Sequence, residues 1–166
     1  MAVIPFTRRG FRTLAVTFIT LAALVSGSAI LPSAATAAPA PQFGALTNIR
    51  VGRHATFDRV VLDFGTGGPA SFRGKFTPQL IADPSGKRVS LPGNTFVSVV
   101  LQGATAFGTY QGRKSFTTTA LRNVRAVAIT GDFEAVLSIG LGVRHRTWLH
   151  VFTLPNPSRL VIDIGR

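Results

Sequence analysis

Apolar side chains alternate with polar ones in short runs along most of the chain, and no run keeps a helical period for three turns. Glycine and proline separate these runs at intervals of roughly ten residues. This pattern predicts an all-β fold of short strands, either a sandwich or a barrel. The predicted strands are 47–51, 59–64, 70–76, 88–91, 96–101, 124–130, 135–141, 147–153 and 159–164.

Turns are predicted where Gly, Pro, Asn and Asp cluster between the strands, because these residues favour tight backbone conformations. The stretch 105–121 lacks a clear alternation and is rich in Gly, Thr and basic residues. It is predicted to be a long loop or an irregular edge, with Phe107 and Phe116 as candidate anchors. The predicted turns are 65–69, 84–86, 92–94, 131–132 and 155–157.

Two of the predicted strands, 59–64 and 159–164, share a motif of arginine, three aliphatic residues, aspartate and one apolar residue. Successive side chains of a strand point to opposite faces. Leu62 and Ile162 therefore belong to fully apolar inner rows, and the arginine and aspartate of each strand lie on the outer face. The match favours a small β-sandwich of two packed sheets with pseudo-symmetric halves.

The charged positions of these two strands predict how they pair if they are neighbours. Antiparallel pairing sets Arg59 beside Asp163 and Asp63 beside Arg159, whereas parallel pairing brings like charges together. In the alternative arrangement, the two strands are symmetry mates in two facing sheets, and their charged residues then find other partners.

Length and composition are consistent with one domain, because 166 residues with 46% hydrophobic content can form a sizeable core. The chain has no cysteine, which excludes disulfide bonds and thiolate metal sites. Its formal net charge is +12, from 18 basic and 6 acidic side chains.

The N-terminal 37 residues are predicted to be a signal peptide. Arg8, Arg9 and Arg12 precede an uncharged run from Thr13 to Leu31, and an A-x-A cleavage motif ends at Ala37. The paired arginines resemble a twin-arginine signal, although the general secretory route also accepts such a sequence. The alternative is an uncleaved membrane anchor, since the uncharged run approaches the roughly 20 residues that span a bilayer.

The mature chain is predicted to begin with a Pro/Ala-rich linker, 38–45, followed by one domain, 46–166. Removal of the three signal-peptide arginines leaves 15 basic and 6 acidic residues, a charge of +9. The predicted location is outside the cytoplasmic membrane, either secreted or in the cell envelope, with no membrane span after cleavage.

Four segments together resemble the AMIN-like domain of exported actinobacterial proteins: NIRVGRH at 48–54, FDRVVLDF at 57–64, GDFE at 131–134 and PSRLVIDI at 157–164. The related AMIN domain accompanies peptidoglycan amidases and secretins and directs them to the envelope. The resemblance implies a small β-sandwich with a targeting or binding role. No amidase or secretin domain follows in this sequence.

The sequence predicts that the protein is not an enzyme and needs no cofactor. Asp63 and Asp163 each follow an arginine on the same strand face, which favours ion pairing over paired catalytic carboxylates. His54, His145 and His150 are candidates for a three-histidine zinc site, but two neighbouring arginines disfavour a cation there. No serine-nucleophile or phosphate-loop motif is present.

The densest basic and aromatic group predicts a ligand-binding face. In strand 147–153, Leu149 and Val151 are expected to face the core, with Trp148 and His150 outward beside Arg146. An exposed Trp148 can stack on a sugar ring while arginine holds a carboxylate or phosphate; the alternative is that Trp148 covers the end of the core. Asp58 is expected to tie the first turn through its side chain. The candidate binding residues are Arg144, Arg146, Trp148, His150, Arg53 and His54.

Two functions follow from these observations. The first is a non-catalytic module that binds peptidoglycan or an anionic wall polymer through a basic face. The second is a protein-interaction subunit whose strand edges or loops dock another exported protein. A basic surface also attracts nucleic acid, but the export signal makes nucleic acid an unavailable partner in vivo.

Overall fold

The computed structural model describes residues 43–166, so the predicted signal peptide and most of the predicted linker lie outside the described residues. Within this range no helix is long and apolar enough to cross a membrane. The strands are β1 (Gly44–Arg53), β2 (Phe57–Phe64), β3 (Ser71–Thr77), β4 (Leu80–Ile81), β5 (Arg88–Val89), β6 (Thr95–Gln102), β7 (Ala104–Thr105), β8 (Ser115–Thr117), β9 (Val124–Phe133), β10 (Val136–Val143), β11 (Leu149–Leu154) and β12 (Arg159–Gly165).

The strands form two five-stranded sheets that pack face to face, which confirms the predicted all-β sandwich. Sheet I has the order β11-β12-β2-β1-β7, and sheet II has the order β3-β6-β10-β9-β8. The short strands β4 and β5 pair with each other outside the two sheets. Strand β1 begins at Gly44, two residues before the expected start of the domain.

The core lies between the inner faces of the two sheets. Strand β2 alternates strictly between buried and half-buried positions, as expected for a strand with one face in the core. Leu62 and Ile162 are completely buried, so their predicted placement in the inner rows is correct. Fully buried side chains from both sheets include Val60, Leu62, Leu160, Ile162, Ile164, Val97, Val99, Leu101, Leu137, Ile139 and Leu141.

The two strands that share a motif are neighbours in sheet I and run antiparallel. Arg159 lies opposite Asp63, Val161 opposite Val61 and Asp163 opposite Arg59, which is the register predicted from their charges. The alternative arrangement in two facing sheets is therefore wrong.

The sequence pattern misplaced one turn and gave no sign of three short strands. Residues 131–132 lie inside β9, and the chain reverses instead at Glu134 and Ala135, whose φ angles are 48° and 59°. The glycine at 131 serves close packing and not a turn, since a Cβ there would lie 2.7 Å from Cβ of Asp83. Strands of two or three residues, such as β4, β7 and β8, are too short to show an alternation.

The stretch 105–121 is mostly loop, as predicted, and one of its two candidate anchors is correct. Phe116 packs against the core from β8, whereas Phe107 is 87% exposed and anchors nothing in the described part of the chain. The loop is held instead by Asp132 of β9, whose carboxylate accepts hydrogen bonds from the Thr105 hydroxyl and the Ala106 amide, both at 2.9 Å. We call the end of the sandwich that contains Asp132 and the loop after β7 the opposite end, because it lies opposite the end where β1, β10 and β12 stop.

Candidate functional site

One end of the sandwich gathers the basic residues that the sequence singled out. Strands β1, β10 and β12 end there and β2, β9 and β11 begin there, so the loops at 54–56, 118–123 and 144–148 converge. We define the basic end by four exposed arginines from these segments: Arg53, Arg122, Arg144 and Arg146.

A buried asparagine fixes the backbone of this end. Asn123 is fully buried, and its side-chain oxygen accepts hydrogen bonds from the amides of Arg144 and His145 at 3.1 and 3.2 Å. Its side-chain nitrogen donates to the carbonyls of Gly165 and His145 at 2.7 and 3.2 Å. The Asn123 side chain therefore links the start of β9 to the ends of β10 and β12. Its oxygen accepts two hydrogen bonds and its nitrogen donates two, which is the full capacity of an amide group.

A buried carboxylate provides a second link at the basic end. Asp58 is fully buried, and its Oδ2 accepts hydrogen bonds from the amides of Asn123 and Val124 at 2.6 and 3.1 Å. Its Oδ1 lies 3.7 Å from Nε of Arg166, and the Arg166 guanidinium also donates to the carbonyls of His54 and Ala55. The expectation that Asp58 ties its own turn is wrong, because its side chain joins sheet I to sheet II instead.

Aromatic side chains cover the outer side of sheet I next to the basic end. His54 stacks on Phe57 with ring centres 4.4 Å apart, and Trp148 lies against the same ring at 5.9 Å. Trp148 also rests on β12, since a Cβ at Gly165 would lie 2.5 Å from the indole nitrogen. Half of the Trp148 surface remains exposed, so one face of the indole is held and the other is accessible.

Arg59 continues this row but is bound within the fold. Its guanidinium makes two hydrogen bonds of 2.7 Å to Asp163, and it lies 5.2 and 5.7 Å from the ring centres of Phe57 and Phe152. The hydrogen bonds to Asp163 raise the pKa of Arg59. His150 completes the row, with its ring centre 4.8 Å from that of Phe152. Arg59 is thus a positioning residue whose charge is already paired.

The second predicted charge pair of the matched strands forms with a different partner. Asp63 accepts two hydrogen bonds of 2.7 Å from Arg50 of β1, and these bonds lower the pKa of its carboxyl. Arg159, which lies opposite Asp63, donates from Nε to the carbonyl of Pro157. Arg159 therefore lies beside Asp63 as predicted, but the hydrogen bonds to Asp63 come from Arg50 on the other neighbouring strand.

The structure brings three of the six predicted binding residues into the aromatic row: His54, Trp148 and His150. Arg146 is not beside Trp148, since its guanidinium lies 5.3 Å from the ring centre of Phe76 in sheet II. Arg53 and Arg144 are exposed at the basic end. Leu149 and Val151 pack against the core as predicted.

Sequence reasoning missed Phe57, Phe152 and Asn123. Phe57 shares a strand face with Arg59, and Phe152 shares one with His150. The alternation along these strands therefore indicates the aromatic row once β2, β12 and β11 are known to be neighbours. Asn123 lies between the predicted loop 105–121 and the predicted strand 124–130, and its hydrogen bonds reach segments more than 20 residues away. No local pattern could have identified it.

The exposed charge at the basic end is positive. In the described part of the chain the ion pairs are Arg50–Asp63, Arg59–Asp163 and Arg166–Asp58, so the four arginines that define the basic end have no carboxylate partner there. The three histidines considered for zinc are not assembled, because no metal-holding group of His, Cys, Asp or Glu side chains occurs among residues 43–166.

The fold and the position of its loops define a small all-β sandwich domain. The chain belongs to the AMIN-like domain family, whose model matches residues 44–166. AMIN-like domains occur in exported cell-envelope proteins, are associated with peptidoglycan-binding modules and are generally non-catalytic. No curated protein and no solved structure matches the chain.

Proposed function

We propose that this protein is an exported, non-catalytic module that binds peptidoglycan or an anionic wall polymer through its basic end. The observation that supports this proposal is that different residues at the basic end hold the backbone and carry the exposed charge. Buried Asn123 and Asp58 hold the backbone, while the exposed arginines take part in no ion pair within residues 43–166. Cations whose charge is not already paired within the fold are available to an anionic ligand.

The aromatic row gives this ligand a second kind of contact. The open face of Trp148 offers an apolar platform for a sugar ring, and its other face is fixed by Phe57 and Gly165. Arg144 and Arg146, exposed elsewhere on the basic end, then supply donors to a carboxylate or phosphate further along the same polymer. A glycan that carries both sugar rings and negative charge fits this combination better than either feature alone.

Cosedimentation of the mature chain, residues 38–166, with purified wall sacculi tests the proposal. Retention should fall steeply as salt rises, because the screening length shrinks to about 8 Å at physiological ionic strength. It should also persist after protease treatment of the sacculi, since the ligand is polymer. Retention that disappears with protease treatment would indicate that the domain docks another exported protein instead.

Trp148 is the single tryptophan of the chain and reports directly on the basic end. Titration with soluble wall fragments should change its emission, because a sugar on the open face removes water from the indole. A fragment that binds without changing the emission would place the contact elsewhere on the domain.

Export itself has a separate test. If the signal peptide is removed as proposed, N-terminal sequencing of the exported protein should begin at Ala38. Exported material that still begins at Met1 would instead support the membrane-anchor alternative.

A further inference from the structure

The outer face of sheet II is divided into a covered half and an open half. Over β10, Leu80 lies so close that a Cβ at Gly140 would be 2.7 Å from its Cδ1, and a Cβ at Gly142 would overlap the carbonyl oxygen of Pro92. Ala126 and Ala128 of β9 lie beside these glycines and are buried. Small residues therefore occur where the segment 78–94 covers the sheet.

The open half, over β3 and β6, has mostly polar residues, and the long side chains of Arg73, Lys75 and Gln102 occur where the covered half has glycine and alanine. Its side chains form a groove of about 450 Å³, and none of the residues that line the groove belongs to the covering segment. The lining comes from cross-strand neighbours, namely Ser71 with Gln102, Arg73 with Val100 and Lys75 with Ser98, together with Phe72.

The groove presents hydrogen-bond donors and positive charge. Arg73 and Lys75 are exposed and form no ion pair within the described residues, and no residue that lines the groove is acidic. Because the two cations are two positions apart on one strand face, they repeat at about 6.6 Å along the groove. Hydroxyl and amide donors lie opposite them on β6 or beside them.

We propose that this groove binds a linear phosphate-bearing chain in an extended form. The groove follows a strand, so it fits a chain with charges repeated along its length better than a compact ion. Phosphate suits the lining because its oxygens accept hydrogen bonds from a guanidinium, an ammonium and hydroxyl groups at once. This site is separate from the basic end and does not require the proposed wall binding there.

Fluorescence anisotropy with a labelled, short linear polyphosphate tests the site. Replacing Arg73 and Lys75 together by alanine should weaken binding about tenfold at physiological salt, and should reduce the slope of log K against log salt by about 1.4. The matched control replaces Lys87 and Arg88 by alanine. Lys87 directly precedes β5 and Arg88 begins it, both on the covering segment, and together they carry the same charge as Arg73 and Lys75, so that variant should change the affinity less than twofold.

A second variant separates groove shape from charge. Ser71→Trp fills the groove at an exposed position without altering the net charge, and it should also weaken binding severalfold. Equal losses in the Arg73/Lys75 and Lys87/Arg88 variants would overturn the proposal, since the overall positive charge is then sufficient for binding. Unchanged affinity in Ser71→Trp would overturn it as well.

Two further measurements distinguish phosphate binding in the groove from binding at the basic end and from binding of any linear polyanion. If alanines at Arg144 and Arg146 abolish polyphosphate binding and those at Arg73 and Lys75 do not, the groove proposal fails while the proposed function of the basic end stands. A linear polyglutamate of equal charge should bind at least tenfold more weakly than polyphosphate; equal binding would contradict the assignment to phosphate.

Discussion

The two ends of the sandwich differ in what they expose. At the basic end, buried Asn123 and Asp58 hold the converging loops, and the surface carries arginines. At the opposite end, Asp132 holds the loop after β7, and the surface carries Phe107 and Glu134. Both ends fix their backbone with acceptor side chains that each serve two donors. The two ends differ in the exposed side chains that their loops carry.

This difference separates residues that stabilise the fold from residues that are available to a ligand. Asn123 and Asp58, which hold the loops at the basic end, are buried, whereas the four arginines that define this end are exposed and form no ion pairs in the described part of the chain. Substitutions of the first kind should therefore change stability, and substitutions of the second kind should change binding.

The largest effect is expected from Asn123→Ala. It removes four side-chain hydrogen bonds, and the amide and carbonyl of His145 lose a partner. The Arg144 amide keeps its bond to the Asn123 carbonyl, and the Gly165 carbonyl keeps its bond from the Thr147 hydroxyl, so the free energy of unfolding should fall by about 2–3 kcal/mol. A thermal melt measures this loss. A variant that melts at the same temperature as the original protein would show that Asn123 does not hold the basic end.

Asp132→Ala should have a smaller effect at the opposite end, about 1–2 kcal/mol, because two hydrogen bonds are lost and the site is only half-buried. Amide hydrogen exchange should accelerate in 104–109 and stay unchanged at Arg144 and His145. Faster exchange at both ends would contradict the independence of the two loop anchors.

The smallest effect is expected for the exposed Arg50–Asp63 pair, where Asp63→Asn should cost less than about 1 kcal/mol at neutral pH. Because Arg50 lowers the pKa of Asp63 in the folded protein, this contribution is present above the ordinary carboxyl pKa of 3.8 and is lost as pH falls through the lowered value. The difference between variant and original protein should therefore disappear in acid. A difference that grows as pH falls would contradict this linkage.

Much of the fold could be predicted because strands with one buried face show an alternation of apolar and polar residues. The pairing of the matched strands followed from charge, since an antiparallel register sets Arg59 beside Asp163. The partner of Asp63 could not be predicted in this way, because Arg50 reaches it from a third strand whose position depends on the whole sheet.

The site was predicted in part for the same physical reason. The positions of Trp148 and His150 follow from alternation along the predicted strand 147–153, although β11 begins only at Leu149, whereas Asn123 acts through long-range contacts that leave no local pattern. The groove of sheet II was not predicted either, because its existence depends on where the segment 78–94 stops covering the sheet.

The central claim, that the arginines of the basic end bind the envelope and do not hold the fold, is tested most directly by sacculus retention of two matched double variants. Alanines at Arg144 and Arg146 should abolish most retention while changing the free energy of unfolding by no more than about 1 kcal/mol, the size expected of the exposed Arg146 contact with Phe76. Alanines at Arg113 and Lys114 remove the same charge from the loop before β8 and should leave retention largely intact. If the Arg113/Lys114 variant loses retention and the Arg144/Arg146 variant keeps it, the ligand binds another face and the central claim is wrong.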